Sequence, residues 1–445
     1  MTTPTSILLT DLYMLTMLDG FFKEGMNGIA SYEFFVRNLP PNRGFLVAAG
    51  LEQALQYLES ARFSEEDLDW LRRSGRFSAA FVDHLGGWQF TGDVDAMPEG
   101  TIFFPNEPIL TVTAPISQAQ LIESRLINLL HLQTMIASKA MRCVLAAEGR
   151  VLVDFGLRRA HGAEAGLLAA RANYLAGFDG TATVLAGMRF DVPIYGTMAH
   201  AYVQAHDSEA AAFESFARAQ PGNVVLLIDT YDTERGAQTV VDIAPRLRQE
   251  GIEIKAVRID SGDLASLARR VRHILDEGGL QNTGIFSSGN LDEYRLRELI
   301  HQGAPINGFG VGTRLDTSED APNLECVYKL VEYEGHPRRK RSVGKVTWPG
   351  RKQVFRSYGE QGEMKSDVIT VAGDSQTGEP LIIPVMRAGR RVQDHEPLST
   401  LRQRSARERG RLPKSLSSLG TQPEFPIIRA KALVELANRA DEERA

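Results

Sequence analysis

Short apolar runs alternate with stretches of helical length between residues 151 and 311, and this alternation strongly restricts the possible folds. Strands alternating with helices in this way are typical of parallel βαβ units. With six such units, we expect an α/β fold with a (β/α) barrel-like core, complete or irregular, in preference to an open doubly wound sheet. The predicted strands lie at 151–156, 193–196, 224–229, 254–260, 284–287 and 306–311.

The segments on either side of this region follow a different pattern. Residues 1–115 mix short helices with strand-like runs, and residues 326–400 alternate apolar and polar residues between Gly and Pro turns. We therefore predict one flanking α+β domain built from 1–115 and 326–400. Residues 116–325 should form a helical entry plus the barrel, and 401–445 a basic linker and a C-terminal helix.

Composition restricts the class of protein. The net charge of −6 offers no general attraction for nucleic acid or a membrane surface. The two cysteines rule out a disulfide framework and a Cys-rich zinc site, and they favour a reducing cytoplasm. We expect a cytoplasmic protein with no nucleic-acid partner, no membrane partner and no structural metal.

Polar residues follow each predicted strand of the barrel. Because the active site of a parallel barrel lies at the C-terminal ends of its strands, these residues should converge. Each motif taken singly is also typical of an ordinary helix N-cap, and His200 alone would suit a structural role. The group includes Asp154, Phe155, Arg158, Thr197, His200, Asp229, Arg258, Asp260, Ser288, Gly289, Asn290, Gly310, Gly312 and Thr313.

This combination of side chains suits a substrate with several negative charges. Arginines and the N–H groups of Gly-rich turns bind phosphates. Carboxylates hold a ribose diol or a Mg²⁺ ion carried by the substrate. Phe155 offers a face for stacking a flat ring. The imidazole of His200 can serve as a base or as a transient covalent carrier.

Several motifs, in order along most of the chain, resemble those of nicotinate phosphoribosyltransferases. Residues 10–17 (TDLYMLTM) are similar to the N-terminal signature of that family, 154–160 (DFGLRRA) to its ring-binding strand, and 196–200 (GTMAH) to the segment with its phosphorylatable histidine. The segments 258–263, 287–290 and 308–313 resemble its phosphoribose-binding turns.

The resemblance implies an ATP-coupled reaction of nicotinate with phosphoribosyl pyrophosphate, in which Mg²⁺ is carried with phosphoribosyl pyrophosphate or with ATP. It assigns His200 as the phosphorylated residue, and it places Asp229 and Asp260 at the ribose and the Mg²⁺-bound pyrophosphate. It also implies a homodimer with shared sites, in which Tyr13 reaches across. The ring would contact Tyr13, Phe155, Arg158, Thr197 and Arg258; the phosphoribosyl group would contact Ser288, Gly289, Asn290, Gly310, Gly312 and Thr313.

Two other functions remain open on the sequence alone. A relative that uses nicotinamide carries an aspartate between two threonines, where this chain has Ala182 between Thr181 and Thr183. A carboxylate there would accept from the amide and repel the acid, so its absence favours nicotinate. The second alternative is a barrel that senses a phosphoribosyl ligand without turnover, and the presence of His200 argues against it.

Overall fold

The computed structural model describes residues 6–342 and 344–442, and it divides into two compact units. One contains the chain up to Ser138 and from Asn323 onward; the other is Lys139–Pro322. The division falls at 138/139, inside the long helix Glu123–Ala147, and at 322/323, whereas the sequence analysis placed the boundaries at 115/116 and 325/326.

The N-terminal segment of the first unit is mixed α and β. A capping box starts its third helix, since the Ser64 hydroxyl accepts from the Asp67 N–H while the Asp67 side chain accepts from the Ser64 N–H. The elements are α1 Leu12–Glu24, β1 Ile29–Val36, β2 Leu46–Val47, α2 Leu51–Ser60, α3 Glu65–Ser74, α4 Ala79–Leu85, β3 Asp93–Ala96, β4 Ile102–Phe103, β5 Leu110–Pro115, α5 Ile116–Leu121 and α6 Glu123–Ala147.

The second unit alternates strands and helices. Its helices start at side-chain caps that follow the strands: Asp232, Asp263 and Asp292 each accept from a backbone N–H three residues on. The elements are β6 Val151–Asp154, a 3₁₀ turn Leu157–Arg159, α7 Ala163–Ala176, β7 Gly180–Thr181, α8 Val184–Phe190, α9 His200–Gln204, α10 Glu209–Ala219, β8 Val224–Leu227, α11 Thr233–Gln249, β9 Ile254–Ile259, α12 Leu264–Glu277, β10 Gly284–Ser287, α13 Glu293–His301, β11 Gly308–Val311 and α14 Thr313–Asp316.

The strands of this unit form one parallel sheet in the order β7-β6-β11-β10-β9-β8. A parallel bridge between Thr181 and Ile194 extends it beyond β7. The strand order around the sheet is the order along the chain, as in a (β/α) barrel, whereas a doubly wound sheet reverses its order. Within the described residues no ladder joins Ile194 to β8, so the barrel is irregular and open there, and the predicted fold class is confirmed.

Two predictions within the barrel need correction. The run 193–196 contributes only the bridge at Ile194, while β7, which the sequence analysis missed, stands beside β6. A Cβ at Gly180 would overlap Pro193 and Tyr195, so this crossing depends on a glycine that carries no apolar signal. Residues 201–218, whose sequence pattern predicts one continuous helix, form two helices: α9 ends at Gln204, and Ser208 caps α10 with its hydroxyl.

The C-terminal segment completes the first unit. Strand β1 lies between β5 and the C-terminal β12, antiparallel to both. Residues 401–410, predicted as linker, belong to a helix, because Leu401 and Glu408 are buried at helical spacing. The alternating pattern of 326–400 also predicts a strand over 343–348; it starts at a residue outside the described ones, and 344–348 form no strand. The elements are β12 Cys326–Tyr333, β13 His336–Pro337, β14 Lys352–Tyr358, β15 Met364–Val371, β16 Glu379–Pro380, β17 Ile383–Arg387, β18 Arg390–Arg391, α15 Leu398–Gly410, β19 Ile427–Arg429 and α16 Lys431–Glu442.

Candidate active site

The parallel register places the C-terminal ends of the barrel strands side by side. Arg258 on β9 pairs with Phe286 on β10, Ser287 with Phe309, and Val311 on β11 with Asp154 on β6. Residues that directly follow these positions must therefore lie along one edge of the sheet. This is the edge on which (β/α) barrels carry their active sites.

Arg258 is the hub of this edge. Its guanidinium donates to Ser288 Oγ at 2.8 Å, to Thr197 Oγ1 at 3.1 Å and to Asp260 Oδ1 at 2.9 Å. Its Cζ also lies 5.3 Å from the centroid of the Phe155 ring. One planar cation thus joins segments that follow three strands, β6, β9 and β10, and the bridge at Ile194, with the fork geometry that arginine provides and lysine lacks.

Two glycines leave the space that Phe155 occupies. A Cβ on Gly310 would come within 2.5 Å of the Phe155 ring, and a Cβ on Gly312 within 2.9 Å of the Phe155 carbonyl oxygen. Phe286 supports the ring from 6.0 Å, centroid to centroid, in a tilted arrangement. The two glycines therefore allow the aromatic ring to lie against the end of β11.

His200 stands at the first position of α9 with both ring nitrogens near polar groups. Nδ1 lies 3.1 Å from Thr230 Oγ1, and Nε2 lies 4.0 Å from Asp260 Oδ2. The side chain of His200 is 41% exposed, so the ring is open to a ligand.

Asp229 connects the ends of β8 and β9. Its Oδ2 accepts from the Asp260 N–H at 2.9 Å and from the Ser261 hydroxyl at 2.7 Å. Its Oδ1 is buried without a hydrogen-bond partner. A buried carboxylate oxygen with no donor is costly unless a cation or a ligand hydroxyl satisfies it.

Asp260 is held in its charged form. Burial alone would raise the pKa of this carboxyl, but the hydrogen bond from Ser288 and the charge of Arg258 outweigh burial and keep the pKa below its usual range. The hydroxyl of Ser288 and the guanidinium of Arg258 share the same oxygen, Oδ1. Asp260 thus remains an anion at neutral pH and presents its other oxygen, Oδ2, towards His200.

The turn after β10 approaches the end of β9 closely. Gly289 has a φ of +95° and Asn290 a φ of 51°, and a Cβ on Gly289 would overlap the Asp260 carbonyl oxygen. Glycine is therefore required here on both steric and conformational grounds. Ser288 is buried, while Gly289 and Asn290 are exposed. Thr313, the first residue of α14, is exposed as well.

Family models match most of the chain. The nicotinate phosphoribosyltransferase N-terminal domain matches residues 8–131, and the nicotinate phosphoribosyltransferase family model matches residues 151–346. The chain belongs to the nicotinate phosphoribosyltransferase family. A nicotinate phosphoribosyltransferase of Mycobacterium tuberculosis is 48% identical over 433 residues, which cover 97% of this chain and 93% of the relative. One of Bacillus subtilis is 41% identical over 78% of this chain and 72% of its own length.

Solved structures agree on the fold. A crystal structure of human nicotinic acid phosphoribosyltransferase matches with a TM-score of 0.87 and 28% identity, covering 97% of this chain and 99% of that one. A nicotinate-nucleotide pyrophosphorylase of Pyrococcus furiosus matches with a TM-score of 0.75 and 26% identity, covering 91% and 95%. The likeness extends over both compact units.

Most of the site residues expected for this family lie within the second unit, but they differ in how they are held. Arg258, Asp260, Ser288 and Thr197 form one bonded cluster. Arg158 lies in the exposed 3₁₀ turn after β6, outside that cluster. Tyr13 belongs to the first unit, on α1, where its side chain is half exposed. Burial and the nearby carboxylates of Glu123 and Asp11 raise the pKa of its phenol.

The sequence analysis overlooked three groups of this candidate site. Thr230 holds His200, Phe286 supports Phe155, and Asn223 donates to the Gly196 carbonyl oxygen at 3.1 Å. Thr230 directly follows Asp229, so reading one residue further after β8 would have found it. Asn223 precedes its strand, and Phe286 lies inside one, so no strand-end rule would have selected them.

Glu209 is a further carboxylate close to the site. Burial raises its pKa to about 7; the charge of Arg235 opposes the shift, and those of Asp232 and Asp229 add to it. Its Oε1 is buried without a hydrogen-bond partner. It begins α10, and its N-terminal neighbour Ser208 supplies the helix cap. Glu209 is therefore a carboxyl group beside Asp229 whose protonation changes near neutral pH.

The described residues have neither a cluster of metal ligands nor a membrane-spanning helix. Residues 6–342 and 344–442 contain no group of three or more His, Cys, Asp or Glu side chains placed to hold a metal ion. None of the helices in the same residues has the length and apolar character needed to cross a bilayer.

Proposed function

We propose that this protein is a cytoplasmic, ATP-coupled nicotinate phosphoribosyltransferase. The ring nitrogen of nicotinate attacks the anomeric carbon of phosphoribosyl pyrophosphate, the bond from that carbon to the pyrophosphate oxygen breaks, and nicotinate mononucleotide and pyrophosphate leave. The observation that carries the proposal is the Arg258 hub, where one guanidinium joins the ring-binding and phosphoribose-binding strand ends. Family membership supplies the reaction.

The ring site is proposed at Phe155. The pyridine ring stacks on the phenyl face, which Gly310 and Phe286 hold in place, and its carboxylate pairs with Arg258 and with Arg158 in the adjacent turn. The hydroxyl of Thr197, already bonded to Arg258, donates or accepts at the ring edge. An arginine fork recognises a carboxylate with two parallel bonds, so we expect the acid to be preferred to the amide.

Phosphoribosyl pyrophosphate is assigned to the turns after β10 and β11. Gly289 and Asn290 offer backbone N–H groups in a left-handed turn, and Gly312 and Thr313 offer others at the start of α14. Successive N–H groups of this kind bind anions. Ser288 fixes the start of the first turn, since its own N–H donates to the Ile259 carbonyl oxygen at 3.0 Å. The diphosphate arrives with Mg²⁺, and the unpartnered Asp229 Oδ1 is a fitting ligand for that hard cation.

The transition state explains the charges around this substrate. Positive charge develops on the anomeric carbon, and negative charge develops on the leaving pyrophosphate. Asp260 stabilises the positive charge, and the bound Mg²⁺ and the arginine side chains stabilise the negative charge. Because these groups are held by hydrogen bonds before the substrates bind, they need no reorganisation during the reaction.

ATP coupling is proposed to pass through His200. Its imidazole attacks the γ-phosphorus of ATP, ADP leaves, and the phosphohistidine is later hydrolysed to phosphate. Asp260 lies 4.0 Å from Nε2 and stabilises the positive charge that the ring acquires. Thr230 fixes the ring through Nδ1.

The active enzyme is proposed to be a homodimer with shared sites. Tyr13 of the partner subunit would cover the face of nicotinate opposite Phe155. Its own subunit leaves the Tyr13 side chain half exposed, which suits a role in contact with another molecule.

Purified protein supplied with nicotinate, phosphoribosyl pyrophosphate and Mg²⁺ tests the reaction, with ATP present or omitted. We expect nicotinate mononucleotide, and a kcat/KM for nicotinate at least about tenfold above that for nicotinamide, or roughly 1.4 kcal/mol of discrimination. Equal rates with the amide would overturn the assignment of the acid. Saturable binding of phosphoribosyl pyrophosphate with no product from either base would favour a sensor.

Labelling tests the role of His200. With γ-labelled ATP we expect acid-labile, base-stable phosphate on the protein, and none on His200→Ala. His206→Ala is the matched control, because that imidazole is bonded to the Tyr202 carbonyl oxygen on the same short helix. Label that survives in His200→Ala would move the phosphoryl acceptor elsewhere.

Mixed dimers test the shared sites. Tyr13→Ala and His200→Ala, each inactive in ATP-coupled synthesis, should together regain part of that activity when verified heterodimers form, because one site of the pair then has both residues. Heterodimers without any recovery would place Tyr13 in the site of its own subunit.

A further inference from the structure

A pair of buried carboxyl groups lies beneath the candidate site without touching the substrates assigned to it. Asp154 ends β6 directly before Phe155, and Asp316 ends α14, which begins at Thr313. Their exposed fractions are 1% and 4%. The two side chains are hydrogen-bond partners of each other. Two buried carboxylates in contact repel each other, so the pair must hold a proton.

The hydrogen bonds show which of the two carries it. Asp154 accepts on both oxygens, from the Gly156 N–H at 2.7 Å and from the Thr181 hydroxyl at 2.7 Å. Asp316 accepts from Asn173 Nδ2 at 3.0 Å on Oδ1, whereas its buried Oδ2 meets no donor. Burial and the negative charge of Asp154 raise the pKa of Asp316 well above its usual range. Asp316 is therefore the neutral acid, and its O–H donates to the Asp154 anion.

The pair links three loops of the site. Asp154 accepts from the Gly156 N–H, directly after Phe155, and from the Thr181 hydroxyl. Thr181 Oγ1 in turn accepts from the Thr183 N–H at 3.0 Å, which fixes the loop that contains Ala182. Asp316 packs against Gly156, where a Cβ would overlap its carboxyl group. The segment Phe155–Gly156, the Ala182 loop and the helix that begins at Thr313 are thus all linked by the side chains of Asp154 and Asp316.

We propose that Asp154 and Asp316 are positioning residues: as one proton-sharing pair they set the spacing between the nicotinate ring site and the phosphoribose turn. The proposal rests on the proposed function for its kinetic consequence, though the shared proton itself does not depend on it. Because neither side chain touches a reacting atom, loosening the pair should misplace both substrates and raise both KM values more than it lowers kcat.

The test uses the full-length protein and the Asp316 side chain. Asp316→Asn keeps the shape and, through its amide N–H, the bond to Asp154, so both KM values should stay within about twofold of wild type. Asp316→Ala removes the donor and should raise the KM for nicotinate and for phosphoribosyl pyrophosphate about tenfold each. Equal damage in Asn and Ala variants, or a fall in kcat with unchanged KM values, would overturn the proposal.

A second variant covers the case in which Asp316→Ala does not fold. Thr181→Val removes one donor to Asp154 at nearly constant volume and frees the Ala182 loop, so the KM for nicotinate should rise more than that for the diphosphate. An unchanged KM for nicotinate would contradict the linkage.

Infrared spectroscopy reads the proton without any turnover. The wild-type protein at neutral pH should show the C=O stretch of a protonated carboxyl group that Asp316→Asn lacks. Glu107→Gln in the first unit is the matched control, because burial and the neighbouring Asp367 raise the pKa of Glu107 well above its usual range too. That variant should lose a similar band while keeping both KM values. The absence of a band difference in Asp316→Asn would overturn the shared proton, whereas the band without any synthesis would overturn only the proposed function.

Discussion

Two arginines in different units of this molecule have nearly the same surroundings and opposite access to solvent. Arg258 lies 5.3 Å from the centroid of Phe155 and bonds to Asp260; Arg356 lies 5.3 Å from the centroid of Phe104 and bonds to Asp367. Arg258 lies at the C-terminal edge of the barrel sheet. Arg356 lies on β14 in the other unit, opposite Asp367 on β15.

The difference is how completely the chain itself satisfies each guanidinium. Arg356 donates to both oxygens of Asp367, to the Ile102 carbonyl oxygen and to Glu408, and it is fully buried, as is Asp367. The Arg258 side chain keeps 13% of its surface and Asp260 keeps 31%. An arginine–carboxylate pair closed off from water is a structural element, whereas an open one still has an exposed face to offer a ligand.

Replacing Arg356 should have the largest effect and should act on stability alone. Arg356→Met leaves Asp367, Glu408 and the neighbouring Glu107 as buried acids without their cation, which costs about 3–5 kcal/mol. Chemical unfolding followed by circular dichroism measures this loss. The exposed Arg341→Met is the control, with a change within about 0.5 kcal/mol. Wild-type stability in Arg356→Met would contradict the structural role assigned to the buried arginine.

Replacing Arg258 should act on catalysis instead. Arg258→Lys keeps the charge but loses the fork that meets Thr197, Ser288 and Asp260, so kcat/KM for nicotinate should fall about 100-fold, or roughly 2.7 kcal/mol. The thermal midpoint should change little. Arg269→Lys on an exposed face of α12 is the matched control. A strong loss of stability with normal kcat/KM would show that Arg258 is structural, as Arg356 is.

The same two arginines show what the sequence could predict. Arg258 was selected because strand-end residues of a parallel barrel converge, and alternating strands and helices establish that rule without tertiary information. Arg356 could not be selected, because its partners Asp367 and Glu408 come from separate segments and an alternating strand contains no sign of a buried charge. For the same reason the helix over 398–410 was missed: its polar sequence hides the few residues that are buried.

A negative charge at position 182 should weaken the binding of nicotinate to the open site. Ala182→Asp places a carboxylate in the loop tied to Asp154 through Thr181, where it would repel the nicotinate carboxylate. The KM for nicotinate should rise about tenfold, roughly 1.4 kcal/mol. Ala182→Asn, which has the same size without the charge, should change it far less. If the Asp variant keeps the wild-type KM, position 182 does not line the ring site.

The smallest expected effect concerns pH. Glu209 has a folded pKa of about 7, above the 4.5 of the free side chain, so the folded protein holds this proton more tightly than the unfolded chain does. Its stabilising contribution is present below 4.5 and is lost as the pH rises through 7. The decline in unfolding free energy between about pH 5 and pH 8 should therefore be shallower in Glu209→Gln than in wild type, and the exposed Glu253→Gln should match wild type.

We propose that the open site separates substrate binding, through the Arg258 hub, from ATP coupling, through His200. The ratio of initial rates with and without ATP, measured for wild type and for well-folded His200→Ala, tests it most directly. We predict a ratio well above one for wild type and a ratio of one for His200→Ala, with slow ATP-independent synthesis retained because the Arg258 contacts are intact. Full ATP stimulation in His200→Ala would contradict the claim, and so would loss of the ATP-independent reaction.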